Sequence, residues 1–130
     1  MPPDADSPQA WLRFAESDLA LAAAATDKRV LLENLCFHAQ QTVEKSIKAV
    51  LVLNGIAFPK THNIARLIDL LPPGVERTKA LLESRVLSGY ATVMRYPGVV
   101  EPPSTDEYRR AVELASAVFD WAKAIVGGTL

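Results

Sequence analysis

The sequence predicts an all-α fold, an antiparallel up-and-down bundle of four long helices plus one short helix. Three observations carry this. Apolar residues recur at helical spacing, caps and breakers fall at the ends of those periodic runs, and no segment shows the alternation of a strand. Short loops between the helices then favour antiparallel neighbours.

Each element has its own signals. Ser7 followed by Pro8 reads as an N-cap with proline at the first helical position, where the missing N–H costs nothing. Trp11, Phe14, Asp18 and Leu21 continue that helix through an alanine run at 22–25, and Thr26-Asp27 breaks it. The second helix spans Val30 to Asn54 and is closed by Gly55. Leu32, Leu35, Cys36, Ala39, Val43, Val50 and Leu53 share one broad face of it, with Ile47 at the edge. Thr61-His62-Asn63 caps a short helix that ends near Leu71, where Pro72-Pro73-Gly74 stops it. A fourth helix is expected from Glu76 to Met94, ending ahead of Pro97. Ser104 and Glu107 form a capping box for the last helix, which Gly127-Gly128 terminates.

Composition narrows the function classes. A chain of 130 residues, 49% hydrophobic and 22% charged, reads as one domain, with its ordered bundle over residues 8–126. The net charge of −1 gives no global attraction to nucleic acid or acidic lipid, so such binding needs a local patch. A single cysteine, Cys36, excludes an intrachain disulfide and a multi-cysteine zinc site, and makes a reducing, cytoplasmic setting the expectation. No stretch approaches the roughly 20 apolar residues of a membrane span, and no basic cluster precedes an apolar run as in a secretory signal. Two histidines without supporting ligands make no metal site, and no glycine-rich phosphate loop or other cofactor motif is present.

The candidate site residues lie mostly on the second helix. Asn34, His38, Gln41, Lys45 and Lys48 project within an arc of about 80°. This polar stripe serves either as a solvated face or as a binding or dimer surface, with the acids Glu33 and Glu44 on the adjacent strip. His62, beside Lys60 at a helix start, either packs over an ordinary cap or helps hold a phosphate. Arg95 and Tyr96 close the fourth helix. The guanidinium either satisfies terminal carbonyls or clamps a phosphate beside a stacking aromatic. Cys36 falls on the apolar face, about 160° from His38, so the two form no nucleophilic dyad.

These residues, taken in order, resemble the HEPN family. The resemblance rests on Trp11 with Asp18, the run CFHAQQTVEKSIKAVL with its F-x-x-Q-Q-x-x-E-K-x-x-K core, then FPKTH, and MRYP at residues 94–97. It covers nearly the whole chain. It implies a five-helix bundle, a two-fold homodimer, and a place beside a minimal nucleotidyltransferase in a toxin–antitoxin pair. Members of the family either cleave RNA without metal or bind nucleotides. The cleaving branch has arginine followed, four to six residues on, by histidine. Here residues 31–33 ahead of His38 are Leu31, Leu32 and Glu33, and those ahead of His62 are Gly55, Ile56 and Ala57. That departure favours a binding protein over a ribonuclease. The expected ligand is a nucleotide or short RNA, held by His38, Gln41, Lys45, Lys48, Lys60, His62, Arg95 and Tyr96. No catalytic residue is assigned; His62 and Arg95 are the candidates for a composite cleaving site. A non-catalytic dimerisation or docking module is the other alternative, and Tyr96 is a candidate target for modification by the nucleotidyltransferase.

Overall fold

Ser7 and Pro8 start the chain's first helix as their chemistry requires. The Ser7 hydroxyl accepts the Ala10 N–H at 3.1 Å, with proline inside the first turn. The computed structural model describes residues 6–24, 27–91 and 101–128. The first helix, α1 (Pro8–Ala22), buries Ala10, Ala15, Asp18 and Ala22. Small side chains on this face let its neighbour α2 (Leu32–Leu53) approach closely.

α2 begins two residues later than its sequence pattern suggests. The Asp27 carboxylate accepts the Arg29 N–H at 2.9 Å and also pairs with its guanidinium, a local turn that competes with helix through this stretch. Once started, α2 is the central element, packed on α1, on the last helix and on the segment after residue 83. Its buried face holds Leu35, Cys36, Ala39, Val43, Ile47 and Val50, while Leu32 and Leu53 at its ends are half-buried. Gly55, at φ +70°, ends α2 in the left-handed conformation, and the Ile56 N–H reaches back to the Leu51 carbonyl at 2.9 Å.

The short helix α3 (Ile64–Asp69) is capped by the Asn63 side chain on the Arg66 N–H. Past its end, the Arg77 guanidinium donates to the carbonyls of Leu71, Pro72 and Val75 at 2.6 to 2.8 Å, clamping the proline turn. The fourth element differs from expectation. Thr78 caps a five-residue helix, α4 (Lys79–Glu83), and a 3₁₀ segment, Ser84–Ala91, succeeds it. The Ser84 hydroxyl donates to the Leu81 carbonyl and the Arg85 Nε–H to the Leu82 carbonyl. Side-chain donors thus compete for helical acceptors, and Gly89 lowers the α propensity of the 3₁₀ segment. The rest of the expected helix, and Arg95 and Tyr96 with it, lie outside the described residues.

The last helix, α5 (Thr105–Gly127), starts in the expected capping box, with Ser104 and Glu107 bonding reciprocally. The Tyr108 hydroxyl donates to the Ala22 carbonyl at 2.5 Å, so α5 begins where α1 ends. α1 and α2 run antiparallel, α5 runs parallel to α2, and residues 79–91 run opposite to both. The result is the all-α bundle that the periodicity predicts. Among the described residues no helix is long and apolar enough to cross a membrane.

Candidate functional site

Two nearly buried carboxylates organise the polar side of α2. Asp18, on the inner face of α1, accepts from Lys45 Nζ at 2.6 Å and lies 2.9 Å from Nδ1 of His38. Glu44, 3% exposed on α2, lies 2.7 Å from Lys48 Nζ and 2.9 Å from Nδ1 of His62. Gln40 Nε2 donates to the same Glu44 carboxylate at 2.9 Å and to the His62 carbonyl at 3.3 Å. Gln41 Nε2 bridges Gln40 Oε1 and Glu44. Burial alone would raise the Glu44 carboxyl, but hydrogen bonds from Lys48, His62 and Gln40 outweigh it and hold the group below its ordinary range.

Aromatic rings complete the surroundings. Trp11 and Phe58 meet edge to face at 5.9 Å, and Lys48 Nζ sits 5.5 and 5.4 Å from their centroids. Lys48 is therefore a buried cation, ion-paired on one side and covered by π faces on the other. Lys45 Nζ lies 5.9 Å from the ring of Phe14, which is exposed. Each imidazole is fixed through Nδ1 on a carboxylate, which orients the ring and turns Nε2 away from that carboxylate. His62 is the more open, its side chain 56% exposed against 30% for His38.

The expected site residues separate into groups. His38 and Lys45 meet on Asp18, while Gln41, Lys48 and His62 meet on Glu44. Lys60 is exposed on the loop ahead of His62, and Arg95 and Tyr96 lie outside the described residues. At the start of α3 two of the first-turn N–H groups are already bonded. Asn63 takes the Arg66 N–H, Ser88 takes the Ile64 N–H at 3.0 Å, and His62 turns towards Glu44 instead. Asp18, Gln40 and Glu44 are the site residues that the α2 stripe omits. Glu44 projects beside the stripe and looks like a solvated acid, yet its i,i+4 spacing to Lys48 is the local signal of a pair. Cys36 is buried, and burial pushes its thiol up to about 11, which leaves it inert. Among the described residues no group of three or more His, Cys, Asp or Glu could hold a metal ion.

Comparison with known proteins agrees with this architecture. The HEPN domain model matches residues 8–125. A crystal structure of TT1696 from Thermus thermophilus superposes with a TM-score of 0.75 at 26% identity, covering 91% of this chain and 97% of that one. ST0689, described as an archaeal HEPN homologue, gives a TM-score of 0.69 at 24% identity over 92% of this chain and 98% of its own, a likeness of fold. A Methanocaldococcus jannaschii protein named "Putative toxin MJ1304" is 43% identical over 53 residues, 37% of this chain and 31% of that protein, so the match spans about a third of the relative. With the family model matching from the first turn of α1 into the last turn of α5, this chain belongs to the HEPN domain family.

Proposed function

We propose that this chain binds a phosphate-bearing ligand, a nucleotide or a short RNA, through the Nε2 edges of His62 and His38. The observation that carries this reading is the pair of imidazoles held at Nδ1 by buried carboxylates. Asp18 and Glu44 balance Lys45 and Lys48, so the cluster is close to neutral until an imidazole takes a proton. A protonated His62 then offers an Nε2–H to a phosphate oxygen, with Lys60 nearby in sequence and exposed. Lys48 acts through Glu44 as a positioning group. A net charge of −1 suits a small ligand better than an extended RNA, whose binding rests on many phosphate neutralisations.

The assembly belongs to the same proposal. The chain acts as a homodimer and pairs with a minimal nucleotidyltransferase in a toxin–antitoxin-like system. The HEPN assignment and the name of the M. jannaschii relative support this. Exposed Phe14 and Leu21, seven residues apart on α1, together with exposed Leu31, supply apolar surface for a second copy or a partner. A sizing column should then report twice the 14.1 kDa chain mass.

A thermal-shift series with ATP, GTP and a short RNA tests the binding reading. Ligand at 100 times its Kd adds roughly 2.7 kcal/mol of stability. His62→Ala should abolish that gain, measured against its own unliganded melting temperature. No shift with any of the three ligands would end the proposal. A carboxylate-fixed imidazole is also the arrangement of a general base, which favours metal-independent RNA cleavage as a second reading. Cleavage of a defined RNA in EDTA, lost in both His38→Ala and His62→Ala, would select it.

A further inference from the structure

A concave surface lies along the C-terminal half of α5 and shares no residue with the imidazole cluster. The turn at Gly74–Glu76, the start of α4 and the C-terminal half of α5 enclose an open groove of about 690 Å³. Its walls are mainly apolar, from Val75, Ala80, Ala117, Trp121 and Ile125. Two carboxylates, Glu76 and Asp120, stand on exposed positions of its lining, and no lysine or arginine lines it. The neighbouring Arg77 is turned away, its guanidinium spent on three backbone carbonyls.

The groove is also built to keep its shape. Arg77 clamps residues 71–75, and Trp121 Nε1 donates to the Glu76 carbonyl at 2.9 Å, tying the turn to α5. A preformed apolar trough loses little conformational entropy when something enters it. Being open along one side, it suits a segment laid across it rather than an enclosed small molecule.

We infer that this groove docks an amphipathic, basic segment of a partner protein, with an aliphatic or aromatic side chain over Trp121 and cations facing Glu76 and Asp120. The apolar floor supplies affinity, and the two acids select the sign of the segment.

The test uses the full chain and two helical peptides, one of leucine and lysine, the other of leucine and glutamate, followed by the Trp121 indole N–H resonance. The expected result is a saturable shift with the leucine–lysine peptide and none with its acidic counterpart. Glu76→Lys with Asp120→Lys should weaken the basic peptide by about tenfold, roughly 1.4 kcal/mol. Ala117→Arg, at an exposed lining position, should abolish binding while the melting temperature stays near that of the wild type. An equal response to both peptides, or no shift with the basic one, would overturn the inference. Self-association of the chain that Ala117→Arg disrupts would overturn it too, because a second copy would then be the occupant.

Discussion

Glu44 carries more of this molecule than any other polar side chain described. Almost wholly buried on α2, it receives Lys48, His62, Gln40 and Gln41, and so ties the loop ahead of α3 to the central helix. Removing one partner of a buried pair strands the other without solvent. Glu44→Ala should therefore destabilise the fold by about 3 kcal/mol in urea unfolding. The same environment sets a pH window. A carboxyl held below its ordinary value of 4.5 contributes stability that is full above that value and lost as pH falls through the lowered one. Wild-type stability should decline below pH 4.5, and Glu44→Gln should flatten that part of the profile. Ser46 presents the opposite case, a fully buried hydroxyl with no hydrogen-bond partner among the described residues. Ser46→Ala should gain about 1 kcal/mol, read as a rise in melting temperature.

Among the elements, the ends are where sequence and structure agree best. The Ser7, Asn63 and Ser104 caps and the Gly55 terminator all form bonds that a reading of the local chemistry anticipates. Such signals need only a few adjacent residues. The fourth element is less legible, because its break into a five-residue helix and a 3₁₀ segment depends on tertiary partners as well as propensity. Ser88 accepts the Ile64 N–H, and Trp121 holds the Glu76 carbonyl, from elements 24 and 45 residues away. Site residues divide in the same way. His38, Gln41, Lys45 and Lys48 are visible as a stripe on one helix, whereas the roles of Asp18 and Glu44 need α1 and the α3 loop placed beside it. Two substitutions probe these local effects. Ser104→Ala should cost about 1 kcal/mol through loss of the capping box, measured by urea unfolding. Gly89→Ala, where no atom lies within 4 Å of an added Cβ and φ is not positive, should stabilise by roughly 0.5 kcal/mol.

At the scale of the whole molecule, the bundle sets three surfaces around one core. α2 carries the imidazole cluster towards α1 and the α3 loop, exposed Phe14 and Leu21 mark α1, and α5 presents the acidic apolar groove. The groove on α5 shares no residue with the other two surfaces, whereas Phe14 on α1 lies beside Lys45 of the imidazole cluster. The central claim concerns the imidazole cluster. Because the chain has only two histidines, His38 and His62, their imidazole resonances can be followed directly as ATP is added. Phosphate bound at Nε2 should shift the His62 signals saturably. ATP that stabilises the protein without moving either imidazole, or that leaves both unchanged at every pH, would contradict the account.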